Sequence, residues 1–392
     1  MNLLETSIDV RIPSLTAIDS AIIVSRSNTR QPISADYNRS PLPFSADRKP
    51  VTDIVSLRNI AERLEAGLDP AVSESSHDAY AAARNGVITI GNFDGVHRGH
   101  ATLLREVKTL AEQLGGPAVA VILDPHPASI LRPEAAPQRL SWIERRAEKM
   151  ESLGIDCLVV CETTREFLRM TADQFFDSLV VERLAARAMV EGPNFFFGRD
   201  RGGDVKRLEV LCHEQNLRLR IVDASQAEGQ MISSTRIRGL LNDGRVEEAA
   251  DLLEGPHRIR GIVVQGDQRG RNIGFPTANL DQIDVVIPAP GVYGGVAASG
   301  GQIHYAAIHI GPNPTFEPSG SSKVEIHLLD FEGDLYGEEL TVDFMFKLRD
   351  IARFDSAEIL IGQLQQDVGL IRDRLTNRLS RLDLPVRPDS SD

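Results

Sequence analysis

Between Gly86 and about residue 250, short apolar runs alternate with longer amphipathic ones, and past about residue 256 the long runs stop; nothing else restricts the fold so strongly. "GVITI", "AVAVIL", "DCLVV" and "AMVEG" are continuous apolar stretches of strand length, as expected for strands buried on both faces of a sheet. Helical periods separate them, in "ATLLREVKTLAEQL", "SWIERRAEKMESLG" and "TADQFFDSLVVERL", and "DVKRLEVLCHEQ" before "LRLRIVD" repeats the alternation. This predicts a parallel sheet covered on both faces, an α/β Rossmann-like domain over about 86 to 250. Ligands of such sheets bind beyond the carboxyl ends of the strands, where the turn "GNFDGVH" falls. From "RIRGIVVQG" onward the runs are short, alternating and split by Gly, Pro and Asn, until "SAEILIGQLQQDVGLIRDRL" restores a helical period. That predicts an antiparallel β-barrel with a C-terminal helix over about 256 to 380.

The ends have neither texture. Residues 1–85 are a polar leader, expected to be largely disordered apart from a short helix near 55–67, and 381–392 are a frayed tail. No Met lies between Met1 and Met150, so a start inside the leader would need an alternative initiation codon. The net charge of −13 argues against general affinity for nucleic acid or anionic membrane, but leaves room for a small anion held by local donors. There is no secretory signal and no apolar run of about 18 residues, so no membrane span is expected. Cys157, Cys161 and Cys212 are too few and too oddly placed for a disulfide framework, and fit a reducing compartment. A cytoplasmic protein is expected, either a monomer or a weak homo-oligomer.

In "GNFDGVHRGHATLL" the order strand, Gly-containing turn, helix puts free backbone N–H groups and a positive dipole end at Gly91, Asn92, Phe93 and Asp94. His97 and His100 fall one turn apart, so both reach one anion, and Gly99 lets a ligand approach the backbone. No Gly-Lys-Ser/Thr follows, which excludes a P-loop. The three-residue spacing and the lack of a nearby third ligand speak against zinc. A phosphate grip is favoured, with an ordinary helix start as the bland alternative.

Four other stretches carry similar pairs of readings. In "ISSTRIRGLL", Ser233, Ser234 and Thr235 precede Arg236 and Arg238: either a plain N-cap or a second phosphate contact. In "GPNFFFGRDRGGD", Phe195 and Phe197 either plug a loop or pack against a flat ring that Asn194 orients. "GDQRGRNIGFPTANL" holds Gly266, Gly270, Arg271 and Gly274 in a loop able to cover phosphates, and Thr277 and Asn279 as neutral oxygens suited to Mg²⁺. Its bland reading is a hairpin loop with polar edges. Glu325 sits mid-strand opposite in face to Val324 and Ile326; it faces solvent, or, on an inner barrel wall, serves as base for a hydroxyl nucleophile.

Taken in order, these stretches resemble the bacterial bifunctional riboflavin kinase/FAD synthetase family over about residues 87 to 370. "GNFDGVHRGH", the "PHP" turn, "GPNFFFGRDRGGD" and "ISSTRIR" are similar to its adenylyltransferase half. "GRNIGFPTANL", "PGVYGG", "GPNPTF", "EIHLLDF", "DLYGEEL" and "RFDSAEILIGQLQQD" are similar to its kinase half. The resemblance implies phosphorylation of riboflavin to FMN by ATP, then joining of FMN to AMP from a second ATP to give FAD and pyrophosphate. It implies that Thr277 and Asn279 hold Mg²⁺ and ATP phosphates under the Gly266–Gly274 loop, with Glu325 taking the hydroxyl proton. It implies that His97 and His100 align the other triphosphate, with Asn194, Ser234, Thr235 and Arg236 completing the grip. Gly255, His257 and His309 depart from the family pattern, where Arg, an aromatic and Asn are common. A nucleotidyltransferase for another phosphorylated acceptor would share the histidine turn but has no need of the barrel. A flavin-binding protein without turnover would not need the full set of polar residues.

Overall fold

The computed structural model describes residues 21–25, 82–223, 226–227, 229–266, 270, 273–312 and 322–380, and in it the two sequence textures become two folds. Ala21–Ser25, inside the leader, is a strand (β1), as its β-branched run "IIV" favours. The helix expected near 55–67 lies outside the described residues. The α/β half follows as β2 (Val87–Gly91), α1 (Arg98–Leu114), β3 (Ala118–Asp124), α2 (Pro127–Leu131), α3 (Ile143–Ser152) and β4 (Cys157–Glu162). Next come α4 (Ala172–Phe175, extended by π turns over Phe176–Arg183), β5 (Ala188–Glu191), α5 (Val205–Glu214) and β6 (Arg218–Ile221). A small hairpin of β7 (Gln226–Ala227) and β8 (Gln230–Met231) precedes α6 (Ser234–Asn242) and α7 (Val246–Leu253).

The sheet runs β1-β4-β3-β2-β5-β6. The strands β2 to β6 are parallel, and β1 lies antiparallel on the open edge of β4, a departure from the all-parallel expectation. The first five residues of β3 are fully buried, as a central strand under two helical layers requires. α1 turns Ala101, Leu104, Val107, Leu110 and Ala111 inward at helical spacing and ends on Gly115 at φ 65. Strand order reverses between β2 and β5, so the crevice of this sheet opens at Gly91 and Glu191.

β9 (His257–Val264), β10 (Ala278–Asp281), β11 (Gly291–Ser299), β12 (Gln302–Pro312), β13 (Ser322–Leu328) and β14 (Glu339–Arg349) close an antiparallel barrel in the order β10-β13-β12-β11-β14-β9. Closure leaves no free sheet edge. Outside it, α8 (Ala357–Ser380) lays Ile371 and Leu375 on Met345 and Phe346.

The halves share one core: Leu140, Trp142, Ile237 and Leu241 pack with the barrel residues Ile259, Val286, Tyr293 and Phe344. Val286 N donates to Arg139 O at 2.7 Å and Ala289 N to Leu241 O at 2.9 Å. His257 is buried at this junction with Nε2 paired to Val286 O at 2.7 Å. Burial holds its pKa at about 4, so it serves as a neutral core side chain.

Candidate active sites

The histidine turn hangs from the end of β2. Phe93 (φ 46), Gly95 (φ 82) and Val96 (φ 44) take left-handed backbone on either side of Asp94, which costs free energy at the two non-glycine positions and needs support from around it. Asp94 supplies much of that support. Its buried carboxylate accepts from Leu140 N (2.9 Å), Ser141 N (3.2 Å) and Arg238 Nη2 (2.5 Å), while Ser234 Oγ donates to its carbonyl (2.9 Å). Asp94 thus sets the tight turn together with Gly95, its carboxylate engaged by these donors rather than turned to a ligand. Phe93 is likewise buried and sets its ring edge-on to His100.

His97 caps α1 and its Nδ1 accepts from His100 N (3.3 Å), which leaves the proton of a neutral ring on Nε2. The two imidazoles stack at 3.6 Å and 15°. A metal lies near the plane of each ligating ring, and planes stacked this way do not converge on one ion. Burial, then the Lys149 charge, holds His97 at about pKa 4; burial, then His97, holds His100 well below the ordinary range. Both are neutral donors near pH 7. The positive charge comes instead from arginines: Arg139, Arg146 and Arg238 line a cleft with Asn92, Asp124 and His126. Asn92 Oδ1 in this cleft and His100 Nδ1 in the turn are buried with no hydrogen-bond partner among the described residues.

The remaining candidates of this half divide. A Cβ on Gly99 would lie 3.2 Å from the His97 ring and on Gly91 3.2 Å from the Phe93 ring, so both glycines make room for the turn. Ser234 reaches the turn, Thr235 is exposed, and Arg236 bonds Ala227 O (3.0 Å), leaving Arg238 as the arginine of "STRIR" at the cleft. Asn194 is exposed. Phe197 is a core residue beneath Phe195, stacked at 5.3 Å, and so cannot take a ligand's ring. The exposed aromatic of the loop is Phe196, with the Arg201 guanidinium 4.1 Å above it. Three adjacent phenylalanines carry no signal of which one faces outward. Glu191, unmarked by any motif, accepts from Ile90 N (2.8 Å) at the strand-order reversal, and burial pushes its carboxyl well above the usual range.

In the barrel, Asn279 on β10 stands opposite Glu325 on β13, which stands opposite His309 on β12. Val324 and Ile326 fill the interior, so Glu325 is on the outer wall, not the inner one. Its carboxylate lies 3.0 Å from Lys323 Nζ and 3.7 Å from His309 Nδ1, and the His309 bond, then Lys323, hold its pKa at about 2 against partial burial. Asn279 Oδ1 is buried without a partner. A Cβ on Gly266 would lie 2.1 Å from Asn279 Nδ2, and one on Gly270 2.2 Å from Phe275 O and 3.6 Å from Thr277 Oγ1. Gly266 and Gly270 thus lie directly against Asn279 and beside Thr277, while Gly274 takes φ 85 in open space. Arg271 lies outside the described residues. At the same barrel end, Gly337 N bonds Val263 O (2.9 Å) beside a cavity of about 260 Å³ lined by His304, Leu328, Phe331 and Leu335.

Residues 79–236 match the FAD synthetase family and residues 253–375 the riboflavin kinase family. The chain is 36% identical to a bifunctional riboflavin kinase/FMN adenylyltransferase of Pseudomonas fluorescens, over 76% of this chain and 95% of the relative. A protein of the same name from Listeria monocytogenes is 35% identical over 72% of this chain and 90% of its own. A solved structure described as a macrolide-efflux protein from Streptococcus pneumoniae superimposes with TM-score 0.67 and 32% identity, covering 74% of this chain and 94% of that one. Among the described residues of this chain, no helix is long and apolar enough to cross a membrane. Both family matches fall in the order of the two sites, and the chain belongs to the bifunctional riboflavin kinase/FMN adenylyltransferase family.

Proposed function

We propose that riboflavin is phosphorylated at the Asn279–Glu325 row of the barrel and that the FMN formed is adenylylated at the histidine turn. The observation that carries the reading is the buried, unpartnered Oδ1 of Asn279 beside an ionised carboxylate and against Gly266. Thr277 and Asn279 would hold Mg²⁺ with the ATP phosphates, a fit supported by their hard neutral oxygens, and the ion would neutralise phosphate charge. Glu325, on the outer wall rather than the inner one, orients riboflavin's terminal hydroxyl from its half-buried place opposite Asn279. The hydroxyl oxygen bonds to the γ-phosphorus, the β,γ-bridging P–O bond breaks to release ADP, and the proton passes to Glu325. Phosphoryl transfer is largely dissociative, so the proton leaves late and a weak base suffices. The cavity beside His304 and Phe331 takes the flat adenine.

At the turn, an FMN phosphate oxygen attacks the α-phosphorus and pyrophosphate leaves, with no proton to remove. Neutral His97 and His100 donate to phosphate oxygens while Arg139, Arg146 and Arg238 supply charge. Phe196, steadied by Arg201, is the ring against which the flavin packs.

A flavin time course with riboflavin, ATP and Mg²⁺ tests this. FMN should appear first and FAD second. Glu325→Gln should make no FMN yet convert supplied FMN, and His100→Ala should stop at FMN. If either substitution abolishes the other step instead, the division of labour is wrong.

A further inference from the structure

Lys149 belongs to no motif, yet its amine ties the histidine turn to the end of α7. It lies on α3 three residues beyond Arg146, partly buried, and its Nζ donates to Gly95 O at 2.9 Å and to Leu253 O at 2.6 Å. Gly95 is the central left-handed residue of the strained turn, two residues before His97; Leu253 is the last residue of α7, immediately before the junction with the barrel. The two carbonyl-bearing residues also touch, since a Cβ on Gly95 would lie 2.9 Å from Leu253 Cδ2. We propose that Lys149 is a positioning residue for adenylyl transfer, its ammonium group bonding the Gly95 and Leu253 carbonyls together so that the stacked histidines stay aimed at the triphosphate.

The physical case is one of grips on adjacent residues: Gly95 N also donates to Ser141 Oγ at 3.0 Å. Asp94 is drawn toward Leu140, Ser141 and Arg238, while the neighbouring Gly95 carbonyl is held by Lys149. Removing the amine leaves two carbonyl oxygens near one another with their shared donor gone, and the left-handed turn loses one of its supports. Leu253 O is also a terminal carbonyl of α7, where a cation is favoured. Burial, then the Arg145 charge, brings the pKa of Lys149 down to about 7; the amine donates both bonds in either protonation state.

This inference rests on the assignment of the histidine turn to adenylyl transfer. Lys149→Met keeps the stem and removes the donors; Lys149→Arg keeps donors. The expected result is a kcat for FMN adenylylation about 10- to 100-fold lower in Lys149→Met, from misplacement of the turn by a fraction of an ångström. KM for FMN and ATP should stay within about threefold, riboflavin phosphorylation within about twofold, and Lys149→Arg should restore most of the rate. Adenylylation within about twofold of the parent protein, or a parallel fall of both activities and thermal stability, would overturn the proposal. Should Lys149→Met not fold, Lys149→Gln, with a shorter stem and an N–H pair, must still lower adenylylation selectively. His100→Ala run alongside separates the two readings. If it makes FAD at the parent rate, the assignment of the turn fails; if it is inactive while Lys149→Met is unaffected, only the role of Lys149 fails.

Discussion

Replacing Asp94 should show how far the histidine turn depends on contacts made across the sequence. Asp94→Ala leaves the amides of Leu140 and Ser141 without their acceptor and takes from Arg238 the carboxylate it meets at 2.5 Å. A buried donor left unpaired costs about 1–3 kcal/mol, and a buried cation stripped of its partner about 3–5 kcal/mol. Several details pull the sum down. Arg238 keeps Gln138 O at 2.6 Å, and Arg146, 3.6 Å from Asp94, keeps Ser141 O and Asn92 O. The cleft beside them also admits water. A net loss of about 4 kcal/mol follows, which for a unit of this size lowers Tm by about 8–16 °C. Asp94→Asn keeps an acceptor for the amides and loses only the charge, so it should fall near half that. Thermal unfolding followed by circular dichroism, with FAD formation from supplied FMN on the same samples, reads both effects. A Tm within about 2 °C of the parent, with adenylylation retained in Asp94→Ala, would refute the idea that this carboxylate holds the turn.

Gly266→Ala would put a Cβ 2.1 Å from Asn279 Nδ2, so the backbone at 266 or the Asn279 side chain must shift. Riboflavin phosphorylation should fall at least about tenfold while adenylylation of supplied FMN persists, as steady-state assays of each half would check. For Glu325, the folded pKa of about 2 lies below the ordinary 4.5, so the stability it contributes is complete above pH 4.5 and lost as pH falls through about 2. His309→Asn removes the largest cause of that depression; the parent's advantage over it, below about 1 kcal/mol for this partly exposed pair, should be present at neutral pH and vanish in acid unfolding curves.

Much of the architecture was readable along the chain because periodicity is local. Continuous apolar runs marked the buried parallel strands, and alternation marked the barrel. At the sites, residue types were legible and their roles were not. Asp94 could be read as a residue of the tight turn, but not its partners, which are 46, 47 and 144 residues away. Arg236 and Arg238 are two residues apart, and only the path of the chain around α6 decides which meets the turn. Phe197 and Phe196 differ by one position and by whether they lie in the core or at the surface. Lys149 had no motif to announce it.

By itself, then, the sequence determined two folds in order and the chemical groups each carries: paired imidazoles after one strand, and neutral oxygens with a carboxylate on later ones. Those follow from hydrophobic period and turn chemistry, which act over a few residues. Protonation, facing and partnership were decided only when the chain closed on itself. Burial in the assembled turn makes His97 and His100 neutral, and barrel closure sets Asn279 beside Glu325 on the outer wall. Desolvation and ion pairing depend on every atom within a few ångströms, and those atoms come from segments that meet only in three dimensions.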